Sequence, residues 1–398
     1  MRLPPYLAIA AERRVALFYF VTMMPLGAAV VQAGVWFAGN GIERGGIGII
    51  NALPILIMTA LNLTIGRIAD RASDWRQAIV IAAGLQGAAT IGLFFVDGFW
   101  GILAVWTLSI LPNQSIGPVL DAATMRMTRR HGTSFGSLRA CATVGHVLAV
   151  GITGLVVTRF GGDVFVPFYV ALTLLKAACA QLLPNFRAPP SSGDPELEPG
   201  AGRLAEVMKG WFVLPLAGYA IVFATHIILN AFAALLWRAQ GIPAVTVGQL
   251  IMLGAIAEAG MMFAWGRVRG RITPEQGMLL AGIVATFRWS MMALEPPVPV
   301  LAGLQMLHAI TFALGYLSVV QFIATHTRER IAAEAQSFYV VMQQSMSVTA
   351  LVGFGFLGES LGAHAYFAAA GLALAGTAVM LPGLTARGQG ARRQGGSN

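Results

Sequence analysis

Residues 211–237 read WFVLPLAGYAIVFATHIILNAFAALLW, a run of 27 residues that contains no acid, lysine or arginine. A helix rises about 1.5 Å per residue, so about 20 apolar residues cross the hydrocarbon core of a bilayer. Only helices and closed barrels satisfy their backbone hydrogen bonds in lipid, and this run is far too long for a barrel strand. The stretch therefore predicts a membrane-spanning helix.

Similar apolar runs recur along the whole chain. The 398 residues are 57% hydrophobic and 11% charged. A soluble domain carries about 25% charged residues, so this composition cannot supply the polar surface that a water-soluble fold of this length needs. The predicted spans are 15–37, 46–65, 78–97, 99–125, 137–158, 164–183, 211–237, 247–265, 277–295, 298–324, 336–357 and 363–384.

Basic residues indicate the orientation of these spans. Most of the 26 lysines and arginines lie in alternate gaps, and the opposite gaps hold Arg44, Arg159 and Arg238. The positive-inside rule then predicts that both termini are cytoplasmic, in a multi-pass protein of the inner membrane. A net charge of +9 would also suit nucleic acid, but the sequence has no basic patch interleaved with aromatic residues. We therefore expect no nucleic-acid partner.

The chain divides in the middle. Residues 184–209 read PNFRAPPSSGDPELEPGAGRLAEVMK, a segment rich in Pro, Gly and acid that predicts a cytoplasmic linker. GRIADR follows the second span and GRVRGR follows the eighth, which supports an internal repeat. The predicted fold class is an all-α membrane protein with twelve transmembrane helices in two six-helix pseudo-symmetric bundles. The predicted parts are a bundle at 1–183, the linker, a bundle at 210–385 and a flexible basic tail at 386–398.

Three ionisable residues lie in the middle of predicted spans. Such groups are costly in hydrocarbon, so they usually face a bundle interior and mark a pathway. Glu258 in the eighth span is either a structural partner of an arginine or a protonation or solute-binding site. Arg288 in the ninth needs an acceptor, for which Glu258 is the natural partner and a solute carboxylate the competitor. His308 in the tenth is either a hydrogen-bonded core residue or part of the same site.

The N-terminal half has its own candidates. Asp121 near the end of the fourth span and Arg139 near the start of the fifth lie at the same depth and could pair, or both could reach water as helix-end charges. His146, Lys176 and His226 also fall inside spans, where Lys176 is expected to snorkel inward.

Enzyme and cofactor motifs are missing from the sequence. It contains no G-x-x-x-x-G-K-[ST], no His/Cys/Asp cluster with metal spacing and no G-x-S-x-G. We therefore expect no catalytic residues, no enzyme activity, no cofactor and no metal. Without ATP hydrolysis, uphill movement of a solute would need an ion gradient, and Glu258 and His308 are groups that could carry a proton.

Particular motifs resemble the major facilitator superfamily of membrane transporters. The loop after the second span carries Gly66, Asp70 and Arg71, although the residues at 72–76 depart from the usual basic ending. Two longer segments are similar to the proton-coupled branch that includes the 3-phenylpropionate and lactose permeases. One is 118–145, with Asp121 and Arg139, and the other is 254–312, with Glu258, Arg288, Gln305 and His308.

The resemblance implies roles for these residues. Those expected to bind solute are Asp121, Arg139, His146, Arg288 and His308. Proton coupling is expected of Glu258, His308 and Arg288, and a conformational loop of Gly66, Asp70 and Arg71. Thr311 stands where the lactose permease has a proton-carrying Glu, and His146 where it has the Trp that stacks on the sugar. These departures weaken a sugar reading. The resemblance to the phenylpropionate permease, which keeps Thr311, instead implies a small carboxylate, aromatic or other.

The implied function is secondary active transport, as proton-coupled symport of a small organic solute by alternating access. The expected partners are the solute, a proton and the lipid bilayer, and the chain is expected to act as a monomer. One alternative is a proton-driven exporter of drugs or metabolites on the same fold. Another, of a different class, is a membrane assembly factor or sensor that transports nothing.

Overall fold

Helices account for nearly all of the chain that can be described. The computed structural model describes residues 5–71, 74–186, 208–327 and 329–395, and it describes side chains for 11–61, 74–128, 130–186, 208–327 and 334–383. Within these ranges there is no β-strand. The predicted all-α membrane fold is therefore confirmed.

Fourteen α-helices follow one another along the chain. They are α1 (Pro5–Thr22), α2 (Met24–Gly39), α3 (Arg44–Arg71), α4 (Trp75–Ile91), α5 (Gly98–His131), α6 (Phe135–Phe160), α7 (Phe165–Ala180), α8 (Gly210–Ala239), α9 (Ala244–Val268), α10 (Pro274–Met292), α11 (Val298–Met306), α12 (Gly315–His326), α13 (Glu329–Leu361) and α14 (Tyr366–Gly395). Because α1 and α2 meet at Met23, and a π-helix at Ala309–Leu314 joins α11 to α12, these helices form twelve membrane-crossing segments.

Apolar character differs among the twelve segments. By length and composition alone, nine stretches of the described chain could cross a membrane, and one of them, Glu334–Gly383, contains parts of both α13 and α14. The nine do not include α5 or α10. These two helices carry Asp121 and Arg288, two of the predicted site residues.

The helix ends follow local sequence signals. Asp74 caps α4 by accepting a hydrogen bond from the backbone N–H of Arg76, at 2.8 Å. Thr273 and Gln276 form a reciprocal capping box at the start of α10. Gly132 ends α5 with a φ of 73°, in the left-handed region that glycine adopts without strain. Local sequence therefore determines where these three helices begin or end.

Contacts divide the chain into two compact units. The first comprises Met1–Asp194 with Trp237–Met252, and the second comprises Pro195–Leu236 with Leu253–Asn398. Most of the predicted linker, 187–207, lies outside the described residues, as do the side chains of the predicted loop residues Gly66, Asp70 and Arg71. The domain boundaries therefore stay predictions. The helix α14 continues to Gly395, through most of the predicted tail.

Close helix packing in each unit depends on glycine. In the first unit, a Cβ on Gly145 of α6 would overlap the backbone carbonyl of Phe20 in α1. In the second, a Cβ on Gly315 of α12 would overlap the ring of Tyr219 in α8. Small residues let membrane helices approach closely, and dispersion then replaces the hydrophobic driving force that lipid does not provide. These contacts hold α1 against α6 and α8 against α12, next to the polar clusters described below.

Candidate functional site

Arg288 is the centre of a polar cluster in the second unit. Its side chain is 0% exposed, and it lies on α10 over the ring of Trp289, 4.7 Å from the ring centroid. Nη1 lies 3.2 Å from Nδ1 of His308 and donates to Oγ1 of Thr311 at 3.1 Å, while Nη2 donates to Oε1 of Gln305 at 2.9 Å. The three partners come from α11, the π-helix and the turn between them. One face of this broken segment therefore holds the guanidinium.

His308 stands between Arg288 and Glu258. Its Nε2 lies 3.4 Å from Oε2 of Glu258, on α9, and its Nδ1 faces Arg288. The direct Glu258–Arg288 pair expected from the sequence is wrong, since Arg288 forms no ion pair with a carboxylate among the described residues. The reason is geometric, because the imidazole of His308 contacts Glu258 with one ring nitrogen and Arg288 with the other.

Hydrogen-bond chemistry fixes the tautomer of His308. A guanidinium has donors and no acceptor, so Nδ1 of His308 must present its lone pair to Arg288. The proton of the neutral imidazole then sits on Nε2 and points to the carboxylate of Glu258. A doubly protonated His308 would direct an N–H at Arg288. Proton gain on His308 therefore cannot occur without breaking its contact with Arg288.

A second branch leads from Arg288 to α8. Thr311 accepts from Arg288, and its Oγ1 lies 2.9 Å from Nε2 of His226. Nδ1 of His226 lies 3.1 Å from the carbonyl oxygen of Val222, which can only accept. In a neutral imidazole, Nδ1 therefore donates to Val222 and Nε2 accepts from the Thr311 hydroxyl. In this series of hydrogen bonds, from Arg288 through Thr311 and His226 to Val222, each donor and each acceptor is therefore defined.

The π-helix shapes this part of the site. Its wider turn leaves the carbonyl groups of Thr311 and Phe312 available, and the hydroxyl of Tyr219 donates to them at 3.2 and 3.1 Å. The ring of Phe312 stacks on His308, with centroids 4.8 Å apart. Single π-turns inside α-helices occur frequently at functional sites. The irregular turn thus places His308 and Thr311 on the same side as Arg288.

The first unit contains a more open ion pair. Nε of Arg139 lies 3.4 Å from Oδ1 of Asp121, and these side chains are 42% and 35% exposed. The hydroxyl of Tyr19, on α1, donates to the same Oδ1 at 2.6 Å, and the guanidinium of Arg139 lies 5.9 Å from the centroid of the Tyr19 ring. The predicted pairing of Asp121 with Arg139 is present. His146, two turns further along α6, is half-buried.

A second polar cluster of the first unit surrounds Lys176. This side chain is 0% exposed, so the expectation that it would snorkel is wrong. Its Nζ donates to Oε1 of Gln86 on α4 at 3.0 Å and to Oδ1 of Asn113 on α5 at 2.5 Å. Lys176 stays buried among the helices because two amide oxygens accept its hydrogen bonds.

Several contacts in these clusters could not be predicted from the sequence. Tyr19 and Asp121 are separated by 102 residues, and Lys176 and Gln86 by 90, so no local spacing could reveal these contacts. His226 was noted inside a span without a role. Its position one helix turn before Asn230 gave no indication that it would meet Thr311. A search for polar residues inside spans would identify each of these residues, but not the contacts between them.

The arrangement suits movement of a solute better than chemistry. No group of three or more His, Cys, Asp or Glu side chains in the described part could hold a metal ion. Charged and polar side chains inside membrane-spanning segments mark solute and ion pathways. Helices broken at mid-span, as α1–α2 and α11–α12 are, occur at the binding sites of secondary transporters. Fold and site together define a multi-pass membrane transporter.

Comparison with known proteins gives the family. Residues 13–367 match the MFS_1 like family, and the chain belongs to it, within the major facilitator superfamily. It is 26% identical over 381 residues to a probable 3-phenylpropionic acid transporter of Escherichia coli, covering 92% of this chain and 97% of that protein. It is also 26% identical over 341 residues to a maltose permease of Geobacillus stearothermophilus, covering 83% and 84%. These relatives are transporters, and none indicates a catalytic activity.

Solved structures share the fold. A mutant form of the nucleoside transporter NupG aligns with a TM-score of 0.83 at 13% identity, over 94% of this chain and 99% of that one. A bacterial homologue of the lysosomal transporter Spinster aligns with a TM-score of 0.73 at 14% identity, over 95% of each chain. At such identities the likeness concerns the fold, which confirms the predicted major facilitator architecture.

Proposed function

We propose that this transporter carries a small organic anion, with an aromatic carboxylate favoured, together with a proton. The observation that carries the proposal is the environment of Arg288. The guanidinium is fully buried, and its acceptors are the neutral groups Gln305, Thr311 and His308. A buried cation without a counter-ion is costly in a membrane, and an anionic solute would compensate it.

Donors remain on one edge of Arg288. Both N–H groups of Nη1 are used, whereas Nε is buried and has no hydrogen-bond partner among the described residues. The Nε–H and the second N–H of Nη2 form the edge that grips a carboxylate through two parallel hydrogen bonds. Arg139, with its exposed fraction of 42%, is the second cation that we assign to solute binding.

Similarity to the probable 3-phenylpropionic acid transporter also supports an aromatic carboxylate as the solute. That protein is named for an aromatic carboxylic acid, and its match spans 92% of this chain. The stacked pair of Phe312 and His308, beside Arg288, offers an aromatic surface for such a ring. We therefore use 3-phenylpropionate as the probe.

Coupling to protons would use the Glu258–His308–Arg288 series. A proton on Glu258 removes the negative charge that Nε2 of His308 faces at 3.4 Å. A proton on His308 breaks its contact with Arg288, which then has a free donor for the solute. Proton gain and anion binding therefore favour each other. Uptake by alternating access follows if this pair of events precedes reorientation.

The test is transport by proteoliposomes that contain the purified chain. An inward pH gradient, acidic outside, is expected to drive accumulation of radiolabelled 3-phenylpropionate, and its neutral amide should not accumulate. A collapsed gradient should leave exchange but no accumulation. Accumulation of the amide, or uptake that is indifferent to the gradient, would reject a proton-coupled anion transporter.

Sugar transport is the second candidate. The maltose permease is 26% identical to this chain over 83% of its length, and the Tyr19–Asp121–Arg139 cluster offers donors and acceptors that hydroxyl groups could use. Maltose uptake in the same proteoliposomes separates the two solutes. Export is the remaining alternative on this fold, and the direction of substrate counterflow against the proton gradient distinguishes it from uptake. A membrane sensor or assembly factor would move no solute.

The setting of the transporter is part of the proposal. Arginines concentrate in alternate loops, which supports an inner-membrane protein with both termini in the cytoplasm. We also propose that the chain works as a monomer. Cysteine labelling at the two termini and size-exclusion chromatography with light scattering test these two statements.

A further inference from the structure

The hydrogen-bond acceptors around Lys176 are enough for a neutral amine but leave one N–H of an ammonium ion without an acceptor. Its Nζ has two acceptors, Oε1 of Gln86 and Oδ1 of Asn113. A neutral amine has two N–H donors, and an ammonium ion has three. No carboxylate forms an ion pair with Lys176 in the part of the chain that the structure describes. The third donor of the charged form therefore needs an acceptor from outside the chain.

The described side chains around Lys176 are neutral, so none of them balances the charge of an ammonium. Helices α1, α2 and α4 pack against α7. Among their described side chains, the polar contact to Nζ comes from Gln86, and α5 contributes Asn113. The titratable groups on α7 itself are Tyr169, whose hydroxyl interacts with Gln86 and Ser109, and the buried free thiol of Cys179. None of these groups is a carboxylate, so the described cluster has no negative charge at neutral pH.

Asn113 gives the cluster an accessible side. Lys176 and Gln86 are 0% and 1% exposed, whereas Asn113 is half-buried. Rotation of the Asn113 amide would open Nζ on that side. Asn113 lies within α5 between Pro112 and Pro118, where the missing backbone N–H groups weaken the helix and make local adjustment easier.

We propose that Lys176, with Gln86 and Asn113, forms a proton-linked carboxylate site in the first unit. The amine takes one proton from water as the solute carboxylate arrives, and the ammonium–carboxylate pair is neutral overall. This assignment rests on the proposed carboxylate solute. Arg139 differs from Lys176 because it already has Asp121 as a counter-ion and stays charged at all times. Arg139 thus attracts the anion, and Lys176 binds it together with a proton.

The experiment is calorimetry on the full chain in lipid nanodiscs, with 3-phenylpropionate and its neutral amide as probes. Titration in two buffers of different protonation heat gives the number of protons taken up with each carboxylate bound. Lys176→Met should weaken carboxylate binding about tenfold or more, as expected for loss of a charge-assisted hydrogen bond, and should lower the proton count by about one. Lys176→Arg should bind the carboxylate and lose the same proton.

Two further variants provide a control and a second test of the Lys176 site. Lys209 is the second of two lysines in the sequence and is exposed, so Lys209→Met should match wild type. Asn113→Asp gives Lys176 an internal counter-ion without emptying the cluster, and it should weaken carboxylate binding while the variant stays folded. Wild-type affinity and proton count in Lys176→Met would overturn the Lys176 site and leave the proposed function intact. Failure of the wild-type protein to bind any carboxylate would overturn both.

Discussion

Nδ1 of His308 lies 3.2 Å from Nη1 of Arg288, while Nε2 of the same ring lies 3.4 Å from Glu258. One imidazole thus contacts a permanent cation on one side and a carboxylate on the other. Only the tautomer with its proton on Nε2 satisfies both neighbours. Any proton that moves between Glu258 and His308 therefore changes how Arg288 is held.

Loss of the Glu258 carboxylate should separate solute movement from proton movement. Glu258→Gln keeps the size of the side chain and removes its charge. Solute exchange in proteoliposomes should persist, whereas proton uptake driven by solute, measured with a pH-sensitive dye, should fall below the wild-type ratio of protons to solute. Glu359→Gln, an exposed position at the end of α13, is the matched control. Wild-type coupling in Glu258→Gln would remove this residue from the mechanism.

Binding should require Arg139. Arg139→Ala removes the half-exposed cation that faces Asp121, and loss of a hydrogen bond to a charged group is expected to cost about 1.5–3 kcal/mol, or about 10- to 100-fold in affinity. Calorimetry with 3-phenylpropionate measures this loss. Arg159→Ala, in the last turn of the same helix, serves as the control. Unchanged affinity in Arg139→Ala would exclude a direct contact with the solute.

Thr311 should stabilise the second unit through its hydroxyl. Thr311→Val keeps the shape and removes one hydrogen-bond partner from Nη1 of Arg288 and the partner of Nε2 of His226. The expected loss is about 1–3 kcal/mol in the free energy of unfolding, the usual cost of an unsatisfied buried group. Thr286→Val, on α10, is the control, because the hydroxyl of Thr286 donates within its own helix to Gly282. Equal melting temperatures for the two variants would contradict the relay from Arg288 to α8.

The contact between Gly315 and Tyr219 should tolerate no side chain. In Gly315→Ala the new methyl group would overlap the Tyr219 ring, and overpacking typically costs about 1–3 kcal/mol. Displacement of Tyr219 would also free the carbonyls of Thr311 and Phe312 in the π-helix. Gly303→Ala, in open space on α11, should leave the unfolding midpoint unchanged or slightly raised. A stable Gly315→Ala with wild-type transport would show that this turn can adjust freely.

The sequence identified several residues of the site but not the contacts between them. Glu258, Arg288 and His308 were placed in consecutive spans at similar depth, and the structure brings all three together in one cluster. The order of the contacts was not predictable, because helix rotation decides whether Glu258 meets Arg288 or His308. Lys176 was assigned to a snorkelling position, since its sequence surroundings do not show that Gln86 and Asn113 face it from two other helices.

The sequence by itself determined the all-α membrane fold and its helical spans, because hydrocarbon imposes a length and an apolar composition on every span. It also determined the family, through charged positions kept in order along the chain. The tertiary structure alone decided which polar groups meet. Contacts such as Tyr19 with Asp121 or Lys176 with Gln86 join residues about a hundred positions apart, and they depend on the rotation of each helix about its own axis. That rotation is set by packing between helices, through close approaches such as Gly315 against Tyr219, and not by the hydropathy of any one of them.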